Sequence, residues 1–309
     1  MEDFAHILVV LDPADEQHKA LRRALHLASF KQTKVTVFLS IYDFSYEMTT
    51  MLSAEERELM RSTLIHDRRV WIDDLLSQEV AEGMKVESVV VWHNRPFEAI
   101  IETAQKHGAD LIVKGTHQHS IWQNLLFTPT DWHLIRKAPC PVLLVKEHAW
   151  PEHGKIISAV NAGSEDDAHI SLNRKIMDYA KLVGSYLDAE VHAVNACPGA
   201  PMNIAVEIPE YDVTQYTETL LKQHKQRLAE LAKNYALAPA QQHVIQGLPE
   251  QVIPQQAKDL DAELVILGTI GRTGFKAALL GNTAEHVIDQ LNCDVLAVKP
   301  DGFSSQVGG

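Results

Sequence analysis

The sequence predicts an α/β fold: two tandem, doubly wound parallel-sheet domains, five strands each in the order 3-2-1-4-5, packed as a pseudo-dimer. Three observations lead there. The chain repeats itself, because residues 94–146 align with 247–299 without a gap at a constant offset of 153. The shared residues include Pro96/Pro249, Gly115/Gly268, Thr116/Thr269, His133/His286, Cys140/Cys293 and Lys146/Lys299. Each copy alternates strand-like and helix-like segments, a pattern that right-handed crossovers turn into a parallel sheet. The strand-like segments are continuous apolar runs, such as Ile7-Leu8-Val9-Val10-Leu11 and Val142-Leu143-Leu144-Val145, which suit strands covered on both faces. A period near 150 residues marks a duplicated domain, since solenoid units span roughly 20–50 residues.

In order, the first copy reads as strand 5–11, helix 16–31, strand 34–40, helix 53–82, strand 86–92, helix 96–107, strand 110–115, helix 130–137 and strand 141–146. Ser53 with Glu56 forms a capping box for the long second helix. Pro96 and Pro249 fall where a first helical turn tolerates a missing N–H. The second copy repeats the order, with strands near 155–161, 190–196, 241–246, 263–268 and 294–299. The domains are therefore 1–148 and 155–300, joined by a linker across 147–154 and followed by a small, polar, flexible tail, 301–309. The mixed charges of the helices near 55–80 and 213–235 mark solvated faces.

The bulk properties narrow the class. A chain of 309 residues that is 46% hydrophobic fits two domains with real cores. No run approaches the roughly 18 apolar residues of a transmembrane helix. The acidic start Met1-Glu2-Asp3-Phe4 does not read as a signal peptide, so a cytoplasmic location is expected. A net charge of -13 disfavours nucleic acid and anionic membranes as direct partners. Cys140, Cys197 and Cys293 lie far apart, which argues against a disulfide framework or a structural zinc knot.

The most informative motif lies in the second copy: Gly268-x-x-Gly271, nine further residues, then Gly281-Asn282-Thr283. Gly268 ends the fourth strand, and Val160 and Asn161 end the first. In the predicted strand order these ends adjoin, at the switch point where open parallel sheets bind ligands. Gly268 and Gly271 let backbone approach a phosphate. Gly281, Asn282 and Thr283 open the last helix, whose free N–H groups and dipole face the same anion. Arg272 adds a mobile cation and Thr283 a hydroxyl, while the Asn161 amide can read a purine edge or ribose. Turning the chain and starting a helix would be the purely structural use of these glycines. A Walker A sequence is absent, and no water-activating base or metal carboxylate is identifiable.

With this motif the chain resembles the universal stress protein family, one family domain in each half. ATP-binding members carry G-x-x-G, nine residues, then G-[S/T], between a strand and the last helix; residues 268–283 match that spacing. Asn282 stands at the Ser/Thr position, with Thr283 next, and Asn161 at the family's first-strand aspartate. The stretches around Ile41–Thr50, Trp92–Ile101 and Phe127–His133 look like tandem members. The resemblance implies a cytoplasmic bacterial protein for tolerance of starvation, oxidative or DNA-damaging stress, binding ATP or a related nucleotide, with or without Mg, in its C-terminal domain.

In the first copy Asp12 and Gly115 remain, but Gln118 and Thr128 replace the other two glycines and Pro129 removes an amide from the helix start. No nucleotide is expected there. His117 and His119 flank Gln118, and His133 follows, so zinc is a candidate ligand, set against histidines that simply fill the vacated pocket. Two long loops, 41–52 and 196–211, are unusually apolar and suit packing between domains, an apolar ligand or an unknown protein partner. The favoured function is a nucleotide-dependent regulator without committed catalysis. The alternatives are a slow ATPase or nucleotide-transferring enzyme, and a scaffold or carrier using the apolar loops. Further self-association as a homodimer is open.

Overall fold

Five buried residues, His6–Val10, form β1 at the centre of the first sheet in a computed structural model that describes residues 3–45, 52–118, 125–146, 149–199, 212–269 and 281–303. From β1 the first unit, residues 2–146, continues through α1 (Lys19–Ser29), β2 (Lys34–Ile41), α2 (Ala54–Glu79), β3 (Val86–Trp92), α3 (Pro96–His107) and β4 (Leu111–Gly115). A short antiparallel pair follows, β5 (His117–Gln118) with β6 (Leu125–Leu126), then α4 (Pro129–Lys137) and β7 (Val142–Val145). The sheet order is β3-β2-β1-β4-β7, parallel throughout, which is the predicted 3-2-1-4-5 arrangement.

The second unit, residues 147–304, runs β8 (Lys155–Ala159), α5 (Asp167–Leu187), β9 (Glu190–Cys197), α6 (Val213–Lys233), β10 (Gln242–Gln246), α7 (Pro249–Leu260), β11 (Leu264–Gly268), α8 (Asn282–Gln290) and β12 (Asp294–Val298). Its order, β10-β9-β8-β11-β12, is the same and again all parallel. The central strands are almost wholly buried, as their unbroken apolar runs require.

Local rules place most boundaries. Ser53 caps α2 as predicted: its hydroxyl accepts from Glu56 N–H at 3.2 Å and its own N–H donates to the Glu56 carboxylate at 2.7 Å. Pro96 and Pro249 occupy first-turn positions. The first helix begins at Lys19 rather than 16. The Asp15 carboxylate accepts from Gln17 N–H (3.1 Å) and Lys19 N–H (3.0 Å), and His18 turns left-handed at φ 49, so a turn precedes the helix. Of the two charged helices, α2 buries only Ile72, whereas α6 buries the stripe His224, Leu228, Ala232. The repeat is also visible at the opposite ends of the strands. Asp110 accepts from Ala5 N–H at 2.7 Å, and Glu263, 153 residues later, accepts from Lys155 N–H, each tying the start of the fourth strand to the first.

Candidate functional site

In the second unit the carboxyl ends of β8 and β11 lie side by side, and a cleft of about 380 Å³ opens there. Val160, Asn161, Gly268 and Thr283 line it together, against apolar walls that include Leu172, Ile176, Ile253 and Val287. Asn161 is held by its backbone: Asn173 Oδ1 accepts from its N–H and Asn173 Nδ2 donates to its carbonyl, both at 2.9 Å. Its exposed side-chain amide makes no hydrogen bond among the described residues, so it is available to a ligand.

Gly281 is the N-cap of α8, in extended backbone (φ -67, ψ 133), with no side chain to cap the helix. The first amides its carbonyl accepts are those of Ala284 at 2.9 Å and Glu285 at 3.2 Å. The N–H groups of Asn282 and Thr283 come before these bonds, with the positive end of the helix dipole behind them. Groups of this kind favour an anion. Gly271 and Arg272 lie outside the described residues.

Gly268 has a second reason to be glycine. A Cβ there would overlap the Leu172 side chain, which is buried between α5 and β11. Gly268→Ala should therefore cost roughly 1–3 kcal/mol by overpacking, and Leu172→Ala in the same chain should restore part of it. Urea unfolding of the two single variants and the double variant checks this. Strict additivity would mean that the glycine answers to something other than Leu172.

The first unit is built differently at the corresponding place. Thr128 is the N-cap of α4: its N–H and hydroxyl donate to Asp131 Oδ2 at 2.7 and 2.8 Å, and its hydroxyl accepts from Asp131 N–H at 3.3 Å. The fully buried Asp131 carboxylate also lies 2.7 Å from Lys114 Nζ. The same ammonium donates to the Gly115 carbonyl at 3.0 Å, one of its three N–H groups. At the same repeat positions the second unit has Leu267, Gly281 and Ala284. Where the second helix has no side-chain cap, the first is closed by a Thr128–Asp131 capping box. Asp12 likewise accepts from Ala14 N–H at 2.9 Å, whereas the Asn161 side chain is unengaged.

Both halves match the universal stress protein family, over residues 3–146 and 166–299. The chain is 46% identical to universal stress protein E of Escherichia coli over 308 residues, covering 99% of this chain and 98% of that one. It is 39% identical to a universal stress protein E homolog of Haemophilus influenzae, covering 96% and 98%.

The chain belongs to the universal stress protein family.

Membership supports a bacterial stress-response role. Among solved structures, a Pseudomonas aeruginosa protein described as functionally unknown superposes with a TM-score of 0.78 at 29% identity, covering 97% of this chain and 94% of that one. A universal stress protein from Archaeoglobus fulgidus shares the fold at a TM-score of 0.67 and 15% identity, with 96% and 99% covered. In this universal stress protein the cleft brings four predicted residues together, with Gly281 and Asn282 at the adjoining helix start. His117 opens β5, and His119 lies outside the described residues. His133 stacks on Phe97 with ring centroids 4.1 Å apart. No group of three His, Cys, Asp or Glu side chains among the described residues could hold a metal ion. Most of the apolar loops, residues 46–51 and 200–211, also lies outside them. No described helix is long and apolar enough to cross a membrane.

Two cleft histidines escaped sequence reasoning. His169, on α5, donates from Nδ1 to Asp166 at 2.8 Å. His224, on α6, accepts at Nδ1 from Asn195 Nδ2 at 2.8 Å. His224 shares its spacing with Leu228 and Ala232, which marks the buried stripe of α6, but nothing local says that this stripe ends at a cleft.

Proposed function

We propose that the chain is a bacterial stress-response regulator that binds ATP or a related nucleotide in its second domain and passes occupancy to protein partners. The observation that carries the reading is that Thr283, in the uncapped first turn of α8, and Asn161, whose amide is unengaged among the described residues, line one cleft. Together they supply donors for phosphate and a polar group for base or ribose, between apolar walls that suit a purine. A magnesium ion would enter as the counter-ion of the phosphates. The capped first domain takes no part in nucleotide binding.

Calorimetric titration of the full chain with ATP, in the presence of Mg²⁺, tests this. One saturable site per chain is expected, with a melting temperature that rises with ATP concentration. No heat and no shift with ATP, ADP or AMP would overturn the reading.

One observation favours slow hydrolysis as a second reading. The Asp166 carboxylate orients His169 through Nδ1, so its Nε2 is the nitrogen left to take a proton from water. Phosphate release lost in His169→Asn with ATP affinity retained would support the enzyme. No turnover above background in the native protein would exclude it.

A further inference from the structure

A buried asparagine fixes the tautomer of His224. Asn195 is fully buried, and its Oδ1 accepts from the backbone N–H of Ala162 at 2.8 Å. A backbone amide can only donate, so the other end of the Asn195 side chain must be its NH₂ group. That group meets His224 Nδ1 at 2.8 Å, and Nδ1 must therefore accept. The ring is then neutral with its proton on Nε2. Burial and the nearby Arg227 guanidinium both hold the His224 pKa below the usual histidine value, in keeping with a neutral ring. Arg227 itself is occupied: it donates to the Gly163 carbonyl at 2.8 Å and pairs with Glu165.

The ring is fitted into the cleft wall. A Cβ on Gly163 would overlap it, so this glycine leaves the room the histidine needs. Nε2 has no hydrogen-bond partner among the described residues, yet it is not sealed off as a buried orphan. Sheet order fixes its position. His224 lies on α6, which packs against β9 and β10 on one side of β8, while α8 begins beyond β11 on the other. A ligand spanning the cleft would meet the helix amides with its anionic end and His224 with its other end.

We propose that His224 Nε2–H is a specificity donor of the cleft, selecting nucleotides that present a neutral acceptor, a ring nitrogen or ribose oxygen, opposite their phosphates. This rests on the nucleotide reading above. The pair Asn195–His224 acts as a unit: the asparagine decides that the histidine donates rather than accepts.

Calorimetric titration of ATP into the native chain, His224→Phe and His224→Gln tests it. Phenylalanine keeps the ring and removes the donor, and should weaken ATP binding about tenfold. Glutamine can accept from Asn195 through Oε1 and donate onward through Nε2, reproducing the neutral histidine, and should recover affinity to within about threefold of native. Equal affinity of His224→Phe and native protein would overturn the proposal. So would a loss that glutamine fails to restore while its melting curve is native, because ring shape would then be what matters. If the native chain binds no nucleotide, the functional reading itself falls, a different result from native binding that His224 does not influence.

Discussion

Asp131→Ala should destabilise the first domain by about 3–5 kcal/mol, more than removal of any surface charge. The loss has two parts. Lys114 has only 8% of its surface exposed, and without Asp131 its ammonium keeps the Gly115 carbonyl as a partner but no countercharge. The carboxylate half of the α4 capping box is lost as well, while the Thr128 hydroxyl still accepts from the backbone N–H of residue 131. The repeat supplies the control. Replacing Lys114, Thr128 and Asp131 together by Leu, Gly and Ala copies the residues Leu267, Gly281 and Ala284 of the second domain. That triple variant removes both charges at once and should lose less than Asp131→Ala alone, because removing a buried pair costs far less than orphaning one member. Urea unfolding followed by circular dichroism reads both. A shift below about 1 kcal/mol for Asp131→Ala would mean that the buried pair contributes little.

These same residues show what was legible beforehand. The strands were, because four consecutive apolar residues such as Val142–Val145 have no place except inside a covered parallel sheet, and all four are buried. The capping box of Ser53 and Glu56 was, because both partners lie within one turn. The start of α1 was misplaced by three residues, because Asp15 can cap a turn as readily as a helix and only the left-handed His18 decides between them. Lost glycines and Pro129 set the first copy apart in the sequence. The buried pairing of Asp131 with Lys114 from another element could not be read locally, since aspartate is ordinarily exposed.

In the candidate cleft the division is the same. Asn161 and Thr283, which line the cleft, and Gly281, the N-cap just before Thr283, were legible because the motif places them at strand and helix ends. The grip of Asn173 on Asn161, the contact of Leu172 with Gly268 and the chain from Ala162 through Asn195 to His224 all join residues on different elements. No spacing rule reports such contacts. They follow only after the sheet has set which side chains face one another. Gly268 shows the consequence: what reads as backbone access to phosphate is also the room that α5 needs to pack on β11.

Gly281→Asp should abolish most nucleotide binding while leaving the second domain at least as stable as before. The backbone at Gly281 is extended, with φ -67 and ψ 133, a conformation that any residue adopts and that suits an N-cap aspartate. Its carboxylate would take up amides of the first turn of α8 and add a few tenths of a kcal/mol to the helix. It would also place a negative charge where the phosphates are proposed to sit. Loss of the amide donors together with like-charge repulsion should weaken ATP by at least about tenfold, or roughly 1.4 kcal/mol. Gly281→Asn separates the two effects, since it caps the same amides without charge and should weaken ATP less than aspartate does. Titration with ATP at two salt concentrations, alongside melting curves, makes the measurement: the gap between the aspartate and asparagine variants should narrow as salt rises. Native affinity in Gly281→Asp would remove the phosphates from the start of α8. The expected loss would mean that a side-chain cap at this position makes the start of α8 resemble that of α4, where Thr128 already caps the helix.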